Sequence, residues 1–226
     1  MRVKVARGLI TALVLVLASA WSISAFSATS GASAYSDKTV YTRESVLQGL
    51  TFVPTGEPVV IRLSVLPYNQ NDPAWKTDLM AGTCTVPRTI GAKGCALTSA
   101  SMVFRYYGAL SKNPKQMNVC MGSSACPFCW DVAAASCDEN KAVWYGDLPL
   151  DFFTMISYLN SGYPPILQYS KAGDLHFAVV TTCNGDWQLL TSYLVNDPWD
   201  GMSRSASYWV TTKGYVAEKI RLYRKG

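Results

Sequence analysis

The sequence predicts an α+β domain, and three features carry that prediction. Two segments, Cys95 to Tyr107 and Leu150 to Leu159, place apolar residues at the three-and-four spacing of a helix. Three runs rich in β-branched and aromatic residues follow one another at Ile166 to Tyr169, Leu175 to Thr182 and Gln188 to Asn196. Between the last two, Asn184-Gly185-Asp186 is a tight-turn signal that joins them as an antiparallel hairpin.

The N-terminus reads as an export leader. Met1 to Gly8 carries Arg2, Lys4 and Arg7, and the apolar run Leu9 to Leu17 is too short for a comfortable membrane span. Ala18-Ser19-Ala20 supplies the small residues of a cleavage site, so residues 1–20 are the expected signal peptide. A second acceptable site at Ala32-Ser33-Ala34 could extend it to residue 34. The competing reading is an uncleaved anchor, although no charged stop-transfer flank follows Ala20. Three of the 20 basic residues and none of the 15 acidic ones lie in the leader, so its removal takes the net charge from +5 to +2. That is too little to argue for a nucleic-acid partner, and after cleavage no membrane association is expected.

Residues 21–57 are polar and mixed and read as a linker or propeptide-like segment. The domain is expected over residues 58–226. It opens with a strand within Pro58 to Leu66, which runs into the turn-rich stretch Pro67 to Pro73. In the first helix Leu97, Ala100, Phe104 and Tyr107 mark the apolar face, and Gly108 stops it. In the second, Phe152, Met155, Ile156 and Leu159 do the same before Ser161-Gly162.

The chain has seven cysteines, an odd number, which in an exported protein leaves one thiol over. Cys95 is the natural one to remain free, with Cys84, Cys120, Cys126, Cys129, Cys137 and Cys183 expected in bridges of unassigned pairing. Four of those six crowd into a Cys-rich insertion over residues 118–138. A zinc site on Cys120, Cys126, Cys129 and Cys137 is the alternative, disfavoured by the oxidising compartment and the lack of a nearby histidine.

Cys95 stands in the first turn of a helix, where the positive end of the helix dipole favours an anionic group, and Gly94 before it leaves room for a substrate backbone. His176 is the single histidine of the chain. If Gly185-Asp186 is a two-residue loop, the ladder puts His176 opposite Val195. Asp197, two residues further on, then lies on the same face at a diagonal of about 7–8 Å. A thiol, an imidazole and a carboxylate so placed supply a nucleophile, its base and the group that orients the base. The scattered Trp75, Trp130, Trp144, Trp187 and Trp199 are given no role.

Four blocks carry a family resemblance: Tyr68 to Trp75 (YNQNDPAW), Gly94 to Val103 (GCALTSASMV), Leu175 to Val180 (LHFAVV) and Val195 to Pro198 (VNDP). In sequence and spacing they resemble the papain-like cysteine peptidases related to the bacterial double-glycine (bacteriocin) leader peptidases, in a free-standing secreted branch. The resemblance covers about Pro67 to Tyr208. It implies a papain-like fold, with the nucleophile-bearing helix packed on an antiparallel sheet. It also implies Cys95 as nucleophile, His176 as base, Asp197 as orienting partner and Gln70 as oxyanion donor. The Cys-rich insertion departs from the family pattern, and no transporter segment follows, so leader processing does not carry over. The expected function is hydrolysis of a peptide or amide bond in a peptide or protein substrate, with no metal and no organic cofactor. A cell-wall amidase or peptidase attacking peptidoglycan with the same triad is the close rival. A disulfide-stabilised surface binding protein without turnover is the rival from another class.

Overall fold

The computed structural model describes residues 43–50 and 57–226, which fall within one compact unit, Val40–Gly226. The leader and both expected cleavage positions lie outside the described residues, as does most of the expected linker. The helices are α1 (Arg43–Leu47), α2 (Ile90–Lys93), α3 (Cys95–Tyr107), α4 (Pro114–Met121), α5 (Trp130–Ser136), α6 (Phe152–Asn160) and α7 (Tyr208–Thr211). The strands are β1 (Val59–Arg62), β2 (Ala142–Pro149), β3 (Ile166–Lys171), β4 (Asp174–Gly185), β5 (Tyr193–Asp197), β6 (Met202–Ser205) and β7 (Val216–Lys225). Among the described residues no helix is long and apolar enough to cross a membrane.

The architecture is α+β, with all strand pairs antiparallel in one sheet of order β2-β7-β3-β4-β5-β6. Strand β1 pairs with the end of β4, Arg62 facing Thr182 and Val59 facing Gly185. Because side chains alternate along a strand, β4 feeds two cores. Phe177 and Val179 join Leu97, Met102, Val103 and Phe104 of α3 on one face. Ala178 and Val180 join Met155, Ile156 and Leu159 of α6 on the other. The sheet is therefore covered by helices on both faces, which explains why its central strands read as nearly continuous apolar runs.

Helix α3 matches its expected bounds. Gly108 at its C-terminus adopts φ 108°, a left-handed conformation that glycine takes without strain, and its amide caps the carbonyls of Arg105 and Phe104. Leu97, Met102, Val103 and Phe104 are essentially inaccessible, so truncating Phe104 to alanine would cost about 3–5 kcal/mol. Part of the segment expected as linker is docked: Val46 of α1 is fully buried in the α6 core, and Arg43 Nε lies 2.9 Å from Asp151 Oδ2.

The β4–β5 connection departs from the expected two-residue turn. Residues 186–192 form a longer loop with a short 3₁₀ turn, Leu190–Ser192, and β5 starts only at Tyr193. Next to the loop, Cys183 faces Tyr193 and Thr182 faces Leu194; beyond an irregularity at Thr181, Val180 faces Val195 and Val179 faces Asn196. The extra residue in β4 moves the register by one. Asp197 therefore comes level with Ala178 and on the same face as His176.

The cysteines are a second correction. Cys84 is bridged to Cys126 and Cys120 to Cys137, while Cys95, Cys129 and Cys183 are free thiols. Cys183 points into the α6 core and is fully buried, and Cys129, although half-exposed, is bridged to neither of the other two free thiols. Three of the four thiols of the alternative zinc set are thus consumed in bridges. The stretch also packs into the domain, with Met121, Ala125 and Ala133 buried in the α3 core. The two bridges fit an oxidising compartment.

Two predictions follow from this covalent pattern. Alkylation without reductant after unfolding should label Cys95, Cys129 and Cys183 and leave four cysteines in two cross-linked peptides; finding one labelled cysteine would contradict the pairing. Replacing both Cys120 and Cys137, whose bridge closes a separation of 17 residues, with serine should lower unfolding stability by about 3 kcal/mol in urea titrations.

Candidate active site

Asp197 ends β5, and Pro198, which has no amide to donate, turns the chain away. Its carboxylate is wholly inaccessible and surrounded by donors. Oδ1 accepts from His176 Nε2 at 2.8 Å and from the Trp199 amide at 2.9 Å; Oδ2 accepts from Trp209 Nε1 at 2.7 Å. The Arg204 guanidinium lies 3.3 Å from Oδ2 and also pairs with Asp200. Trp209 further stacks on the imidazole, ring centroids 3.9 Å apart. Carboxylate and imidazole are thereby fixed in position and plane.

With Nε2 committed to Asp197, Nδ1 is the imidazole nitrogen left for the thiol. The Cys95 sulfur lies 3.8 Å from the carbonyl oxygen of Leu175, the residue before His176, near enough to the imidazole to raise its pKa. It reaches this position because the β5 ladder stops at Val179, leaving the start of β4 without a strand neighbour on that edge. Cys95 is the first residue of α3 and is 9 % exposed. Gly94 is required for a different reason from the one expected. A Cβ there would sit 2.4 Å from the Ile90 carbonyl oxygen, so glycine lets α2 abut α3 rather than making room for substrate.

Gln70 is 1 % exposed, and its Nε2 donates to the Gly91 carbonyl at 2.8 Å, four residues before Cys95. Its backbone amide donates to the Pro198 carbonyl at 2.6 Å. Next to it, Asn71 Nδ2 donates to the Trp199 carbonyl at 2.7 Å, and the Gly91 amide donates to Lys76 O at 2.9 Å. The turn-rich loop therefore ties the approach to Cys95 to the segment after Asp197, and one N–H of the Gln70 amide remains beyond its bond to Gly91.

Charge is distributed accordingly. Burial by itself pushes the imidazolium of His176 down, but hydrogen bonds and charge from Asp197 and Cys95 outweigh it and raise its pKa from 6.5 to about 9. Burial would raise the Asp197 carboxyl, yet His176, the Trp199 amide and Trp209 hold it below the ordinary value. Tyr215 is pushed up to about 12 by burial, by its 2.5 Å hydrogen bond to Asp174 and by the charge at Cys95.

Two clefts, of about 430 and 440 Å³, meet at Asp174. The first is lined by Cys95 and the second by Trp199 and Trp209. Trp209 and Arg204 have no recognisable sequence signal. They reach Asp197 only because β6 folds back beside β5, where Arg204 pairs with Val195, and α7 follows. Comparison with known protein families, curated proteins and solved structures finds no match.

The titration of His176 has a definite sign. Its raised pKa adds stability that is complete below pH 6.5 and is lost as pH rises through about 9. Thermal midpoints should therefore fall between pH 6.5 and 9, and the NMR titration of the single histidine should centre near 9. In Cys95→Ala the midpoint should move down, because the thiol is one of the groups that raise it. A midpoint unchanged in that variant would show that Cys95 and His176 are not coupled.

Proposed function

We propose that the protein is a secreted cysteine hydrolase of papain-like type that cleaves peptide or amide bonds. The observation that carries this reading is the buried 2.8 Å contact of His176 Nε2 with Asp197 Oδ1, which leaves Nδ1 as the nitrogen to serve the free thiol of Cys95, itself one of the groups that raise the imidazole's pKa. The thiolate of Cys95 attacks the carbonyl carbon of the scissile bond. The charge that develops on oxygen takes hydrogen bonds from first-turn amides of α3, which have no intrahelical partner, and from the remaining N–H of Gln70. His176 Nδ1 then gives its proton to the leaving nitrogen, and the C–N bond breaks to leave a thioester on Cys95. Water attacks the thioester, His176 accepts a proton from it, and the acid product departs with the thiolate restored.

Asp197 orients the imidazole and carries the countercharge for its protonated form, and Trp209 and Arg204 hold Asp197 ionised. The two bridges and the expected leader agree with export. The four blocks of family resemblance supply the pieces that converge here, and the Cys-rich stretch gives the site a wall of its own.

Purified protein should cleave members of a peptide library. Cys95→Ala and His176→Ala should each abolish turnover, with the double variant little worse than either, since the pair acts as a unit. Gln70→Ala should lower turnover by roughly a hundredfold while alkylation of Cys95 persists, as expected for an oxyanion donor. His176→Ala with activity near wild type would refute the base assignment. A protein that cleaves no peptide, and whose Cys95 is inert to alkylation, would belong to the binding class.

A further inference from the structure

Three cysteines outside the candidate catalytic group belong to one local arrangement. Cys84 and Cys126 are bridged to each other, and both line the cleft that holds Cys95. Cys129, a free and half-exposed thiol, stands three residues after Cys126 in the run Cys126-Pro127-Phe128-Cys129. The Cys129 amide donates to the Ser124 carbonyl at 3.0 Å and so closes a turn around these residues. The Cys129 sulfur lies 3.7 Å from the carbonyl oxygen of Pro127, the residue bonded to Cys126. C-x-x-C is a spacing at which two cysteines bridge within one turn and exchange with other thiols. Attacking sulfur, target sulfur and leaving sulfur are thus all present.

The backbone around the bridge does not depend on it. The Cys126 amide donates to Ala81 O at 3.1 Å, and the Cys126 carbonyl accepts from the amides of Thr83 at 2.7 Å and Cys84 at 3.3 Å. Three hydrogen bonds therefore tie the segment at Cys84 to Cys126 beside the sulfur link, and they persist if the link changes partner. The bridge Cys120–Cys137 has no comparable neighbour. Its nearest free thiol along the chain is Cys129, separated from Cys137 by the length of α5, about 12 Å by helix rise.

We propose that Cys129 is a thiol–disulfide exchange site that takes Cys126 from Cys84 and, through the thiol so released, lets the protein react with small disulfides. In the internal step the Cys129 thiolate attacks the Cys126 sulfur. A Cys126–Cys129 bond forms, the Cys84–Cys126 bond breaks, and the electron pair leaves on Cys84 as a thiolate, so no oxidant or reductant is consumed. The structure holds the Cys84–Cys126 form, and the exchanged form is the minor one. In it a thiol replaces a bridge sulfur in the lining of the Cys95 cleft. An outside disulfide then gives one half to the Cys84 sulfur and releases its other half as thiolate. The inference rests on the cysteine pairing and is independent of whether Cys95 is a nucleophile.

The test is to incubate the purified full chain with oxidised glutathione at about pH 8.5, where thiols in general are partly ionised, quench with acid and map the disulfides by mass spectrometry. The expected result is a Cys126–Cys129 bridge together with glutathione on Cys84, while Cys120–Cys137 stays intact. Cys129→Ser removes the attacking sulfur and should lower the Cys84 adduct at least about tenfold. Cys84→Ser leaves Cys126 unpaired and should give the Cys126–Cys129 bridge directly under the same treatment. A Cys84 adduct of equal yield in Cys129→Ser would assign the attack to another thiol and overturn the proposal. A Cys84–Cys126 bridge untouched in the unaltered chain, or a Cys84→Ser chain carrying glutathione on Cys126 and Cys129 with no bridge between them, would also overturn it. Equal scrambling of Cys120–Cys137 would trace the exchange to unfolding and overturn it as well.

Discussion

The contact between His176 and Asp197 depends on one extra residue in a strand. On the loop side of Thr181 the ladder pairs Thr182 with Leu194; continued unchanged it would set Asp197 opposite Val179, three residues from His176 and on the other face of the sheet. The bulge at Thr181 shifts the register so that Asp197 comes level with Ala178, two residues away and on the same face. Its backbone is used elsewhere: the Thr181 carbonyl accepts from the Leu63 amide at 2.8 Å, just past the end of β1. The irregularity that aligns the site is thus held by a neighbouring strand's continuation.

Burying a carboxylate without exposure is costly unless every lone pair is met. Asp197 meets that condition with an imidazole, an indole, a backbone amide and a nearby guanidinium, drawn from β4, α7, the turn after β5 and β6. These elements are far apart in sequence and converge on one side chain. The same carboxylate holds the imidazole protonated well above its ordinary range, which couples the folding of this end of the sheet to the charge of the site. The loop at Gln70 closes the arrangement by bonding to Gly91 before Cys95 and to Pro198 after Asp197.

Much of this was legible in the sequence where local chemistry decides structure. The apolar spacing and Gly108 delimit α3, and the paired strands announce themselves by composition. Where distant segments decide, the sequence misleads. Asn184-Gly185-Asp186 looks like a tight turn, but β4 runs on through Gly185 to pair with β1, and the chain turns later. The expected face for Asp197 came out right only because a longer loop and a bulge compensate for each other. Cysteine counting placed six thiols in bridges, whereas Cys183 is committed to the α6 core by the pleat of β4. Strand β7 drew no expectation although it is flanked by β2 and β3 in the sheet, and Trp209 and Arg204 depend on a return of the chain that no motif announces.

The central claim is that Cys95 forms the acyl intermediate, and the half-exposed free thiol of Cys129 provides an internal control. The most direct measurement is acid-quenched mass spectrometry of the protein mixed with an activated peptide ester. The account predicts a single acyl adduct on the peptide containing Cys95, absent from His176→Ala and lost with time as water hydrolyses the thioester. An adduct on Cys129 alone, or none on either thiol, would contradict it.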